Sequence, residues 1–148
     1  MVYEWKIKGL FKTDANTAGA VCEELTNTIG LTNKNLVEVS RAEDAPLHNE
    51  FEWRDDVAAE RYRETQAAKI ISSLTIRIEE VNHEPVRAWF PIAEKTYEDV
   101  RTIITSPMKT NALLDTALKE LKAFQFKYSM LQELSAVFRA IDELQKGA

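Results

Sequence analysis

Leu74-Thr75-Ile76-Arg77-Ile78-Glu79 is followed, beyond Asn82-His83-Glu84-Pro85, by Val86-Arg87-Ala88-Trp89-Phe90. In the first run Leu74, Ile76 and Ile78 alternate with Thr75, Arg77 and Glu79. In the second, Val86, Ala88 and Phe90 alternate with Arg87 and Trp89. A period of two is the signature of a strand with one face buried, and two such runs around a short polar link predict a β-hairpin over about 74–92. An isolated hairpin is marginal in water, so this one must lie against helices.

Helical periods precede it. Thr13 and Asp14 offer an N-cap, and Ala18, Val21, Cys22, Leu25 and Ile29 then recur at three- and four-residue steps until Gly30. Thr32 can cap a short second helix containing Leu36, Val37 and Val39, with Leu31 placed to staple onto Leu36. A polar stretch, Ala42 to His48, includes Pro46, which disfavours helix at Ala45. Asp55 and Asp56 open a third helix running from Val57 to Leu74, with Tyr62, Ala67, Ile70, Ile71 and Leu74 expected on its inner face.

Downstream, Thr96 and Asp99 precede Val100, Ile103 and Ile104, which predicts one short helix. Ser106-Pro107 then pairs an N-cap residue with proline at the first helical position. From Met108 to Gln145 there is neither Gly nor Pro. Leu114, Ala117, Leu121, Phe124, Tyr128, Leu131, Leu134, Phe138, Ile141 and Gln145 step by three or four, the seam of a bundle helix or coiled coil. An unbroken helix there, at ~1.5 Å per residue, is longer than a domain of this size is wide. The seam therefore either folds back near Tyr128-Ser129-Met130 or is covered by another chain.

The expected class is thus mainly α with a small β-hairpin (α+β). It comprises an N-terminal three-helix unit in winged helix-turn-helix order, followed by a long C-terminal amphipathic helix or helical hairpin. Residues 1–96 form the first part, and 97–148 a helical, oligomerising segment of the same domain.

The chain of 148 residues has a net charge of -5, which argues against a sequence-blind polyanion binder but leaves room for a local basic face. A single cysteine, Cys22, cannot make an intrachain disulfide and suits a reducing compartment. The N-terminus has no apolar signal-like run, and no apolar stretch is long enough to span a membrane. A cytoplasmic location without membrane contact is expected.

Chemistry is sparse. Pro46 to Asp56 gathers His48, Glu50, Glu52, Asp55 and Asp56 around Leu47, Phe51 and Trp53, but no second histidine completes a metal or acid–base set. A loop that buries its apolar residues while its acids cap the next helix accounts for the cluster. Cys22 sits on an apolar helix face, where a buried small hydrophobe is the ordinary reading, and His83 is expected in the hairpin turn. The four glycines are too scattered for a phosphate loop, and no HExxH or cysteine pair is present. No catalytic residue, metal or cofactor is expected, and the protein is read as a non-enzyme.

Helix, short helix, longer helix, then hairpin is an element order shared with DNA-binding modules. The bases on those elements, Lys34, Arg41, Arg54, Arg61, Arg63 and Lys69, are the candidate contacts to double-stranded DNA or a nucleoprotein. Arg54, Arg61 and Lys69 fall near one stripe, with Arg77 and Arg87 able to contribute from the hairpin. Glu60 and Glu64 could instead simply pair with neighbouring bases. For self-association into a homo-oligomer the candidates are Leu114, Leu121, Phe124, Tyr128, Leu131, Phe138 and Ile141. The other reading is a protein–protein module without DNA contact, either an assembly component or an inhibitor of a host protein such as a defence factor.

Ala45-Pro46-Leu47-His48-Asn49-Glu50-Phe51-Glu52-Trp53, with Val57-Ala58-Ala59-Glu60-Arg61-Tyr62-Arg63, resembles a pattern in uncharacterised small phage and prophage proteins of Gram-positive bacteria. Thr17-Ala18-Gly19-Ala20-Val21 and Ala117-Leu118-Lys119-Glu120-Leu121-Lys122-Ala123-Phe124 are similar to the same group. The resemblance implies a phage or mobile-element origin and brings no catalytic residues with it.

Overall fold

The computed structural model describes residues 3–55, 59–78, 82–93 and 95–147. It divides into two compact units, Met1–Thr105 and Ser106–Ala148.

The first unit is built on two sheets of three antiparallel strands each. One sheet has β1 (Tyr3–Trp5) at its edge, β3 (Leu74–Ile78) in the middle and β4 (Asn82–Arg87) at the other edge. Tyr3 lies opposite Ile76, and Ile76 opposite Val86. The other sheet orders β2 (Leu31–Thr32), β6 (Thr96–Asp99) and β5 (Trp89–Ala93), with Leu31 opposite Tyr97 and Trp89 opposite Asp99. Between β4 and β5 the chain changes sheet at Ala88. Its N–H donates to the Leu74 carbonyl, and its carbonyl accepts from the Val100 N–H.

The expected class, mainly helical with one small hairpin and a three-helix winged helix-turn-helix-like start, is therefore corrected. The second alternating run is not one strand. It is divided between two sheets at Ala88, where Ala88 and Trp89 are both buried and Phe90 is only partly so. The link placed at Asn82–Pro85, His83 included, belongs to β4. Both sheets are completed by strands from elsewhere in the chain, β1 and β2. These strands are two or three residues long. That is too short for a period to register, and their partners are far away in sequence.

The helices start where their caps are. The Asp14 side chain accepts from Thr17 N–H ahead of α1 (Ala15–Asn27), and the Thr32 hydroxyl accepts from Asn35 N–H ahead of α2 (Asn33–Val39). Gly30, at φ +94°, carries the chain out of α1 in the left-handed region that glycine tolerates. For the short α4 (Val100–Ile104) the cap is Asp99, which accepts from Arg101 N–H, while Thr96 is in β6. α3 spans Ala59–Ser73, and the expected opening at Asp56 and Val57 lies outside the described residues. Its buried face is Arg63, Ala67, Ile70, Ile71 and Ser73; Tyr62, expected inside, is 56% exposed.

The core gathers Ala18, Cys22 and Leu25 of α1, Leu36 and Val37 of α2, Ile70 and Ile71 of α3, and Leu74 and Ile76 of β3. Trp89 is fully buried and stacks on Tyr3 with ring centroids 5.3 Å apart.

The second unit is an αα-hairpin. α5 (Pro107–Lys127) is capped by the Ser106 hydroxyl, with Pro107 at its start. The helix ends at Tyr128, and a turn leads through a 3-10 segment, Gln132–Leu134, into α6 (Ser135–Lys146). Of the two arrangements open to the seam, the chain takes the one that folds back at Tyr128–Met130.

Candidate functional site

The histidine- and acid-rich segment is occupied by structural work. The Trp53 indole N–H donates to the His48 carbonyl at 2.7 Å, and the two rings stack at 4.9 Å. The His48 Nδ1 lies 3.0 Å from the Ser40 carbonyl oxygen. One Glu50 carboxylate oxygen accepts from both the N–H and the hydroxyl of Thr13. Arg63 is buried, its guanidinium lying over Trp53 and donating to the Glu52 carbonyl, to Glu60 and to Asp55. Of the acids here, Glu50 lines a cleft, with one of its carboxylate oxygens held by Thr13. Among the described residues no group of three or more His, Cys, Asp or Glu could hold a metal ion. Cys22 is fully buried, and burial pushes its thiol up to about 12, so the reactive thiolate is disfavoured.

The six bases singled out for DNA sort into two groups. Arg41 is paired with Glu38 and Glu60, Arg54 with Glu52, and Arg63 with Asp55 and Glu60. Arg41 and Arg63 meet at Glu60 and tie the end of α2 to α3, whereas the Arg54 pair is local and exposed; buried Arg63 cannot reach a groove. Lys34, Arg61 and Lys69 are exposed and enter no ion pair among the described residues. The structure does not gather all six on one surface. Arg77 pairs with Glu4, and Arg87 donates to the Trp89 carbonyl and covers the Phe90 ring.

Sequence reading passed over a cleft on the other side of α3. Phe11, Glu50, Tyr62, Thr65, Gln66 and Lys69 enclose about 360 Å³ there. Phe11 is held from behind by Trp5, with centroids 4.5 Å apart, and Trp5 is fixed by its indole N–H donating to the Thr13 carbonyl. The Lys69 Nζ stands 5.8 Å from the Phe11 centroid. The signal was present: Trp5 to Thr13 carries Lys6, Lys8 and Lys12 and no acid.

In the hairpin, Leu118 and Ile141 are the buried residues. Leu121, Tyr128 and Phe138 are half-buried between the helices, and Phe124 touches both Tyr128 and Phe138. Of the residues assigned to self-association, Ile141 is thus consumed inside the hairpin, whereas Leu114, Phe124 and Leu131 are exposed. Sequence reading missed Val137 and Leu144, which are 45% and 53% exposed. Gln125 bonds Asp142 and Gln145 bonds the Leu118 carbonyl, so the two helices run antiparallel.

At about 100° per residue, Ala117 and Phe124 fall roughly 60–90° to one side of the α5 stripe facing α6. Val137 and Leu144 fall to the same rotational side of the α6 stripe. In antiparallel helices, equal rotational sense means the same face of the pair. These four side chains therefore form one apolar face along the hairpin.

Among the described residues no helix is long and apolar enough to cross a membrane. No protein-family model matches the chain, and neither the curated proteins nor the solved structures contain a match.

Proposed function

We propose that the protein is a non-enzymatic interaction module that self-associates through its C-terminal hairpin. The observation that carries this is the exposure of Phe124, Val137 and Leu144, which helical geometry sets with Ala117 on one face of the hairpin. Helices of this length are marginal alone and draw their stability from burying a face. Two buried side chains, Leu118 and Ile141, are a small core for a hairpin. A second hairpin laid on the open face completes a four-helix bundle, the common solution for amphipathic helices joined by short turns. The duplex-binding role of the first three helices loses support, because Arg63 is buried and Arg41 is held between Glu38 and Glu60.

Light scattering on the intact chain is expected to give twice the chain mass. Val137→Glu with Leu144→Glu keeps helix propensity while placing charge in the interface, and is expected to give a monomer with unchanged helical circular dichroism. A wild-type monomer at micromolar concentration, or a double variant that remains dimeric, refutes the proposal.

A further inference from the structure

We infer that the cleft between Phe11 and Tyr62 binds single-stranded nucleic acid, with bases on its aromatic rings and phosphates on the lysines around it. Three features coincide there. First, the cleft is flanked by aromatic side chains, and Tyr62 is 56% exposed on an otherwise polar helix face. A ring exposed to this extent is a surface an unpaired base can stack on. Phe11 is backed by Trp5 and cannot retreat when a base arrives.

Second, the charge is local and opposite to that of the whole chain. Lys69 lines the cleft, and Arg61 is one helical turn from Thr65 on the same helix. The turn from Lys6 to Lys12 is anchored beside the end of α3, the Lys6 N–H donating to the Ser73 carbonyl. Lys6, Lys8, Lys12, Arg61 and Lys69 are all exposed and none is in an ion pair among the described residues. In a protein of net charge -5, Lys69 in the cleft and Lys12 next to Phe11 in sequence supply local positive charge. The one acid lining the cleft, Glu50, has a carboxylate oxygen committed to Thr13.

Third, polar groups of the lining are pre-set. The Gln66 amide is fixed by accepting from Glu52 N–H and donating to the Glu50 carbonyl, leaving the Thr65 hydroxyl, bonded to the Arg61 carbonyl, at the solvent side. A site held rigid by its own chain orders little on binding. A duplex offers base faces only at its two ends, so the aromatic pair favours the unpaired strand.

The test is fluorescence anisotropy of a labelled oligothymidine with the full-length chain. Binding is expected at about 50 mM salt, weakening steeply toward about 200 mM as phosphate contacts are screened. Tyr62→Ala is expected to weaken binding roughly 5- to 100-fold while leaving the salt slope alone, the loss reported for one stacked base. Lys12→Glu with Lys69→Glu is expected to flatten the slope by about the share of two phosphates. Tyr62 and both lysines are exposed, so tryptophan fluorescence should show all variants folded. The inference is overturned by no binding at low salt, by a blunt duplex binding as tightly as the single strand, by association with anionic vesicles alone, or by Tyr62→Ala leaving affinity unchanged.

Discussion

Replacing Cys22 by alanine should make the protein less stable at neutral pH and more stable in alkali. Cys22 is fully buried on α1 among core residues such as Ala18 and Leu25, and burial raises its thiol from 9.0 to about 12. A folded-state pKa above the unfolded one means that the folded chain keeps a proton the unfolded chain releases. The stabilisation is complete below pH 9 and is lost as pH rises toward 12, at about 1.4 kcal/mol per pH unit. Deleting the sulfur leaves a small void, costing about 1 kcal/mol at neutral pH, in the range of losing one buried methyl-sized group. The two effects cancel near pH 10, and by pH 11 the variant should lead by about 2 kcal/mol. The assay is urea unfolding from pH 7 to 11 followed by tryptophan fluorescence, since Trp5, Trp53 and Trp89 all lie in the first unit. Curves of stability against pH that stay parallel for the two proteins refute the reasoning.

Tyr3 adds a second alkaline signature. Its hydroxyl donates to Glu23 and accepts from Arg101, and burial followed by the Glu23 hydrogen bond raises its ionisation well above the usual phenol range. Tyr3→Phe should therefore cost about 1–2 kcal/mol at neutral pH and remove the share of the decline that begins above pH 10; the same titration reads both. Gly19 lies against the Tyr3 ring, which a Cβ there would overlap. Gly19→Ala should lower the melting temperature, the ~1–3 kcal/mol of overpacking exceeding the ~1 kcal/mol gained in helix propensity. Differential scanning calorimetry decides that sign.

What could be read from the sequence was what repeats locally. Asp14, Thr32 and Ser106 cap the helices they were expected to cap, because a hydroxyl or carboxylate just before an apolar period is a short-range signal. The C-terminal seam was equally legible, though its break at Tyr128 rested on length alone. The sheets were not legible. β1 is a three-residue strand whose partner β3 lies across α1, α2 and α3 in the sequence. The second alternation failed because the chain passes from one sheet to the other at Ala88, bonded to Leu74 of β3 and to Val100 of α4, which places Trp89, expected outward, in the core. The bases misled for a related reason: Arg63, counted as surface charge, is a core residue because Trp53 offers its face and acids neutralise it. The cleft needed Phe11 and Tyr62 to be brought together by the fold.

The proposed dimer and the proposed cleft make a joint claim that neither makes alone. A dimer carries two clefts, so a strand long enough to reach both binds its second site at the effective concentration set by the tether, while a short strand fills one site only. Val137→Glu with Leu144→Glu removes the dimer and touches neither Phe11 nor Tyr62. Its affinity for a short oligothymidine should equal that of the wild type, and its affinity for a long one should fall by about 10²-fold or more. Loss for both lengths would mean that the hairpin supports the cleft itself. Full affinity for the long strand in a monomeric variant would mean that the two sites never act together, and association through the hairpin would then need a purpose other than gripping nucleic acid.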